Sequence, residues 1–154
     1  MPFGTSGTLL LAPEGINGTI AAPEGQLEPV ISFLEEKLGV HQGELKYSWA
    51  SENPFTRFKV RLKKEIVTLR QPEADPTKKV GIYVEPEEWN DLIAQDDIIL
   101  IDTRNTYETR VGIFDGAIDP QTETFTEFAD YVEENLDPAR VKKVAMYCTG
   151  GIRC

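Results

Sequence analysis

The sequence predicts an α/β protein of two units, an α+β unit followed by a parallel-sheet α/β unit. Three observations carry this expectation. Near the start, two short apolar runs flank a Gly- and Asn-rich stretch, as in a hairpin. After Arg70 the polar stretch QPEADPTK, with two prolines, interrupts the chain. Beyond it, two apolar runs separated by a helical pattern follow the alternation that builds a parallel sheet.

In the first unit, GTLLLAPEGINGTIAAP places Leu9–Leu11 and Thr19–Ala22 around Glu14-Gly15-Ile16-Asn17-Gly18. Gly and Asn tolerate the positive φ of a tight connection there. From Glu24 to Gly39, Leu27, Val30, Ile31, Phe33, Leu34 and Leu38 recur mostly at three- and four-residue spacing, and Gly39 is placed to end the helix. Strand signals return at Leu45–Trp49 and Arg57–Leu69, so the expected order is strand, strand, helix, strand, strand. The first unit is expected to span residues 1–71, with 72–79 as a linker and 80–154 as the second unit.

The second unit opens with Gly81–Val84 and then VEPEEWNDLI. Pro86 suits a first helical position, and Glu87 and Glu88 favour the positive end of the helix dipole. Ile98–Ile101 and Lys143–Tyr147 read as strands buried on both faces. Between them Phe125, Phe128, Tyr131 and Val132 lie at helical spacing within Thr122–Leu136. Sites in parallel sheets form beyond the C-terminal ends of the strands, and Asp102 and Cys148 both fall at such ends.

Composition narrows the function. The 154 residues are 40% apolar, enough for a buried core. No run is long enough to span a membrane, and a cytoplasmic protein is expected. The two cysteines and the distant His41 form neither a disulfide framework nor a metal set. A net charge of −10 disfavours nucleic-acid binding, with one local exception. In FTRFKVRLKKEIVTLR, Arg57, Lys59, Arg61 and Lys63 alternate with Phe58, Val60 and Leu62, which puts the cations on one face of a strand. Two readings fit: the solvated face of a half-buried strand, or a phosphate-contacting stripe.

CTGGIR, which follows the second apolar run, carries the chemistry. A loop leaving a buried strand can curl its N–H groups toward one point, and Gly150 and Gly151 remove obstructing side chains. Thr149, Gly150, Gly151 and Ile152 would then cradle an anion. Cys148 at the mouth of this nest would act as a thiolate, and Arg153 offers a charged donor fork at its far end. The plainer alternative is a buried cysteine before an ordinary turn.

LIDTRNTYETRVGIFDGAI, with Asp102, Arg104, Glu108, Gly112, Gly116 and Ala117, resembles the first signature of the rhodanese domain, and CTGGIR resembles its active loop. Phosphatases of related fold use Cys-x5-Arg, one residue longer; here Cys154 occupies that position, which favours sulfur chemistry. With LLLAPEGINGTIAAPE added, nearly the whole chain is similar to the rhodanese-containing tRNA uridine hydroxylase family. That resemblance implies a ferredoxin- or acylphosphatase-like α+β unit before a rhodanese-like α/β domain. It implies oxygen-dependent hydroxylation of the wobble uridine of tRNA to 5-hydroxyuridine, with Cys148 essential, Arg153 closing its loop and molecular oxygen as co-substrate. No resident cofactor or metal site is evident. The tRNA substrate would make Arg57, Lys59, Arg61 and Lys63 phosphate contacts. The signature residues Asp102, Arg104 and Glu108 are expected to be structural, with Arg104 and Glu108 paired. Against the family pattern, both units read as incomplete: the first lacks an opening strand and helix, and the second is truncated after its active loop, so the chain is expected to be inactive as it stands. The alternatives are a sulfurtransferase working through a Cys148 persulfide and a non-catalytic tRNA-binding module.

Overall fold

The computed structural model describes residues 4–141 and 143–154, in two compact units, Met1–Ile66 and Val67–Cys154. In the first, strands β1 (Ser6–Ala12) and β2 (Gly15–Ala21) form an antiparallel hairpin, and β3 (Phe58–Leu62) joins β1 in parallel, giving the order β2-β1-β3. Helix α1 (Leu27–Leu38) buries Ile31 and Leu34, and Leu9 of β1 is the buried apolar residue of the sheet. Burying side chains of this size contributes roughly 1.5–3 kcal/mol each. Gly39 ends α1 in the left-handed region at φ 70°, its N–H donating to Glu35 O. A Cβ would be strained in that conformation.

Three local expectations need correction. The chain turns at Pro13-Glu14, and Gly15–Gly18 lie in β2 instead of forming the connection. Gly18 faces Leu9 so closely that an added Cβ would lie 2.9 Å from Leu9 Cα, and it would meet the Thr8 carbonyl closer still. That glycine admits a neighbouring strand, a use that sequence does not distinguish from a turn. Leu45–Trp49 forms no strand: a 3-10 turn at Gln42–Glu44 leads into an irregular stretch that joins neither edge of the sheet. The last strand is far shorter than Arg57–Leu69, because its ladder runs out when Lys63 N–H donates to Leu11 O at 2.8 Å.

In the second unit the elements run α2 (Pro86–Ile93), β4 (Ile98–Asp102), α3 (Thr106–Thr109), α4 (Phe125–Asn135) and β5 (Lys143–Tyr147). β4 and β5 pair in parallel from Ile98↔Lys143 to Asp102↔Tyr147, so their C-terminal ends lie side by side. Ile118 adds a parallel bridge to Ile101 on the other side of β4. Leu100, Ile101, Ala145 and Phe128 form the core, with Phe128 stacked between Phe125 and Tyr131. Asp75 accepts hydrogen bonds from Thr77 N–H and Oγ1 and pairs with Lys78 at 3.0 Å, which gives the proline-containing stretch a local fold. Among the described residues, no helix is long and apolar enough to cross a membrane.

Candidate active site

The parallel register brings the ends of β4 and β5 together, and with them every group around Cys148. Thr103, next after β4, donates both its N–H (3.0 Å) and its hydroxyl (2.9 Å) to Tyr147 O, the last carbonyl of β5. This ties the root of the 148–154 loop to the neighbouring strand. The loop reverses through Gly150 and Gly151, at φ 77° and 74°, and returns to the cysteine. Arg153 N–H then donates to Cys148 Sγ at 3.4 Å.

The electrostatics follow from this curl. The Cys154 thiol hydrogen-bonds to the Cys148 sulfur and is the largest influence on it; burial opposes ionisation, and the N–H groups of Arg153, Gly151 and Cys154 favour it. The result brings the Cys148 thiol down from 9.0 to about 5, a thiolate at neutral pH. Cys154 shifts the opposite way, because it holds the proton shared with Cys148 and is itself partly buried.

Two carboxylate–arginine pairs frame the loop. Asp102, fully buried at the end of β4, takes a two-point contact from Arg104, with Nε 2.9 Å from Oδ1 and Nη2 2.7 Å from Oδ2. Burial raises its pKa, yet the Arg104 and Tyr147 hydrogen bonds outweigh burial and hold it below the ordinary carboxylate value. Arg104 also donates to Gly112 O at 2.6 Å and lies 5.6 Å from the centre of the Tyr147 ring, which packs edge-on against Phe114.

Glu108 forms the second pair. Its carboxylate accepts from Arg153 Nη2 at 2.7 Å, from Thr149 Oγ1 at 2.8 Å and from Asn105 N–H at 3.2 Å. Burial again opposes ionisation, and these donors prevail, so Glu108 sits below its ordinary value. The expected Arg104–Glu108 pair is therefore corrected: Arg104 turns back to Asp102, two residues away, and leaves Glu108 to reach the loop. Arg153 is largely buried, and its Nη1 has no hydrogen-bond partner among the described residues. Thr149 contributes its hydroxyl to Glu108, whereas Gly150 and Ile152 are exposed.

Of the basic residues, Arg57, Arg61 and Lys63 are exposed and Lys59 is half-buried, with Lys59 beside Thr8 and Arg61 beside Leu10 in the register. The apolar side of this strand is not covered as expected, since Val60 is 50% and Leu62 84% exposed. Lys46 to Lys64 holds six basic residues and one acidic, in a chain of net charge −10.

Residues 2–66 match the UPF0176 acylphosphatase like domain. Over 151 residues, 98% of the chain, it is 55% identical to the tRNA uridine(34) hydroxylase of Brucella ovis and 56% identical to that of Agrobacterium fabrum. The chain is similar in sequence to these hydroxylases. It spans about half the length of the curated relatives it matches, 50% of the first and 48% of the second.

Sequence reasoning treated Glu108 as part of a structural signature and missed its two bonds to the loop. A signal was present: Asn105 and Glu108 have the spacing of a capping box, which the structure forms at α3. Thr103, inside the LIDTRNTYETR segment, and Tyr147, at the end of the second apolar run, tie the loop root and were not singled out.

Proposed function

We propose that the chain is part of an enzyme that hydroxylates uridine 34 of tRNA, with Cys148 as its reactive thiolate and molecular oxygen as co-substrate. The observation that carries this reading is the 55% identity, over 98% of the chain, to proteins named for that reaction. The β4–β5 unit is read as rhodanese-like, its active loop being residues 148–153, and the first unit as the acylphosphatase-like partner that presents tRNA. Arg57, Lys59, Arg61 and Lys63 are read as phosphate contacts, supported by the exposure of Arg57, Arg61 and Lys63 and by the local excess of cations. An enzyme acting on tRNA would work in the cytoplasm.

Within this reading the residues divide their tasks. The Cys154 thiol, and after it the N–H groups that converge on Cys148, keep it ionised without a base, and Glu108 fixes Arg153 and Thr149 so that the convergence persists. A second reading, sulfur transfer through a Cys148 persulfide, draws on the same thiolate. Mass spectrometry of tRNA from cells lacking the protein separates the two. Loss of wobble 5-hydroxyuridine, restored by the intact protein and not by Cys148→Ser, is the expected result. Unchanged hydroxyuridine with altered thiolation would replace the first reading by the second, and rescue by Cys148→Ser would remove Cys148 from the chemistry.

A further inference from the structure

Cys154 brings a second free thiol to the Cys148 sulfur. The loop has already returned to the Cys148 sulfur one residue earlier, at Arg153 N, so Cys154 follows directly after the point of closest backbone approach. Both thiols line one cleft of about 280 Å³, together with Trp89, Tyr147 and Gly151. Both are free, and both are partly exposed.

The position of the proton is legible from the hydrogen bonds. Thr103 Oγ1 gives its single proton to Tyr147 O and lies 3.7 Å from Cys154 Sγ. The Cys154 thiol directs its one proton towards the Cys148 sulfur. The pair is thus unequal, with the charge on Cys148 and the proton on Cys154. In a two-sulfur site this inequality sets the order of reaction: the thiolate reacts first and the neutral thiol second.

Resting on the reading of Cys148 as the reactive thiolate, we propose that Cys148 and Cys154 form a dithiol couple in which Cys148 accepts oxygen from a hydroperoxide and Cys154 resolves it as a disulfide. In the first step the Cys148 thiolate attacks the terminal oxygen of the hydroperoxide. The S–O bond forms, the O–O bond breaks and alkoxide, or hydroxide from hydrogen peroxide, departs. Cys148 becomes a sulfenic acid, oxidised by two electrons. In the second step Cys154 attacks that sulfur. The S–S bond forms, the S–O bond breaks, and the thiol proton leaves with the departing hydroxyl as water. Gly150 and Gly151, whose Cβ positions face open space, give the intervening loop room to adjust as the two sulfurs bond.

Hydrogen peroxide, added in stoichiometric amount to the intact protein, tests the couple by peptide mapping and by dimedone trapping of sulfenic acid. The wild type should yield a Cys148–Cys154 cross-linked peptide and little trapped sulfenate. Cys154→Ser, which keeps a hydroxyl donor beside Cys148, should yield no cross-link and at least tenfold more dimedone adduct on Cys148. Adduct on Cys148 without any cross-link in the wild type would overturn the couple and leave Cys148 standing as the reactive thiolate. Cys148 left unmodified in the wild type would overturn both. The wild-type mapping needs no variant, so the test survives a substitution that fails to fold.

Discussion

The two carboxylate–arginine pairs of the second unit have nearly identical contact lengths, yet they differ in what they hold. Asp102–Arg104 spans two residues, and its carboxylate is sealed from solvent at the end of β4. It completes a strand end and the aromatic wall that Tyr147 and Phe114 form. Glu108–Arg153 spans 45 residues and ties α3 to the loop that curls around Cys148. The same chemistry serves as internal bracing in one place and as a tie across the candidate site in the other. Reach along the chain decides which.

The comparison can be broken by substitution. The largest effect is expected from Asp102→Asn. Leaving Arg104 without its buried countercharge should cost about 3–5 kcal/mol, read as faster native-state hydrogen exchange at the amides of β4. The Cys148 titration midpoint in the remaining folded protein should stay near 5. A midpoint that moved with Asp102 would mean that both pairs serve the loop.

Glu108→Gln should do the reverse. It preserves shape but withdraws the charge that holds Arg153, and one amide face presents donors to donors. The Cys148 midpoint, followed by alkylation rate against pH, should rise by about one unit, equivalent to about 1.4 kcal/mol. Loss of stability should be smaller than in the Asp102 variant. Because Glu108 sits below its ordinary value of 4.5 in the folded chain, its contribution is fully present above that pH. It fades as pH falls through the lower, folded value. The contrast between the two variants should therefore be complete at pH 7.

The smallest change expected is from Thr149→Val, which removes one of the three donors to Glu108 and leaves the arginine in place. A loss of about 0.5–1.5 kcal/mol in loop stability, seen as a few-fold change in alkylation rate with little shift in midpoint, would sharpen the assignment of charge to Arg153.

The sequence made some parts of this molecule readable because a single physical rule governed them. The period of Leu27 to Leu38 announced α1, and Gly39 its end. Apolar runs announced β4 and β5, but the expected covering on both faces holds for β4 alone; in β5 Ala145 is buried while Val144 and Met146 are exposed. Residues 148–153 were likewise noticed for their residue types. Elsewhere two rules predicted the same residues and the wrong one was applied. Gly15 and Gly18 suited a turn and a tight strand pairing equally well, and the turn fell at Pro13-Glu14. Leu45–Trp49 had strand composition, yet a strand also needs a partner to pair with, a tertiary condition that composition does not carry. The pairing of Arg104 depended on which way its side chain turns, a tertiary fact that spacing cannot encode.

The hairpin tip has one more consequence. Glu14, in the two-residue turn, accepts the backbone N–H of Ile66, so the start of the unit clasps its last residue across 52 positions. The match to the acylphosphatase like domain also ends at residue 66. Anyone wishing to excise this unit, or graft it onto another protein, should therefore cut after Ile66. A piece one residue shorter would retain all three strands and lose the clasp.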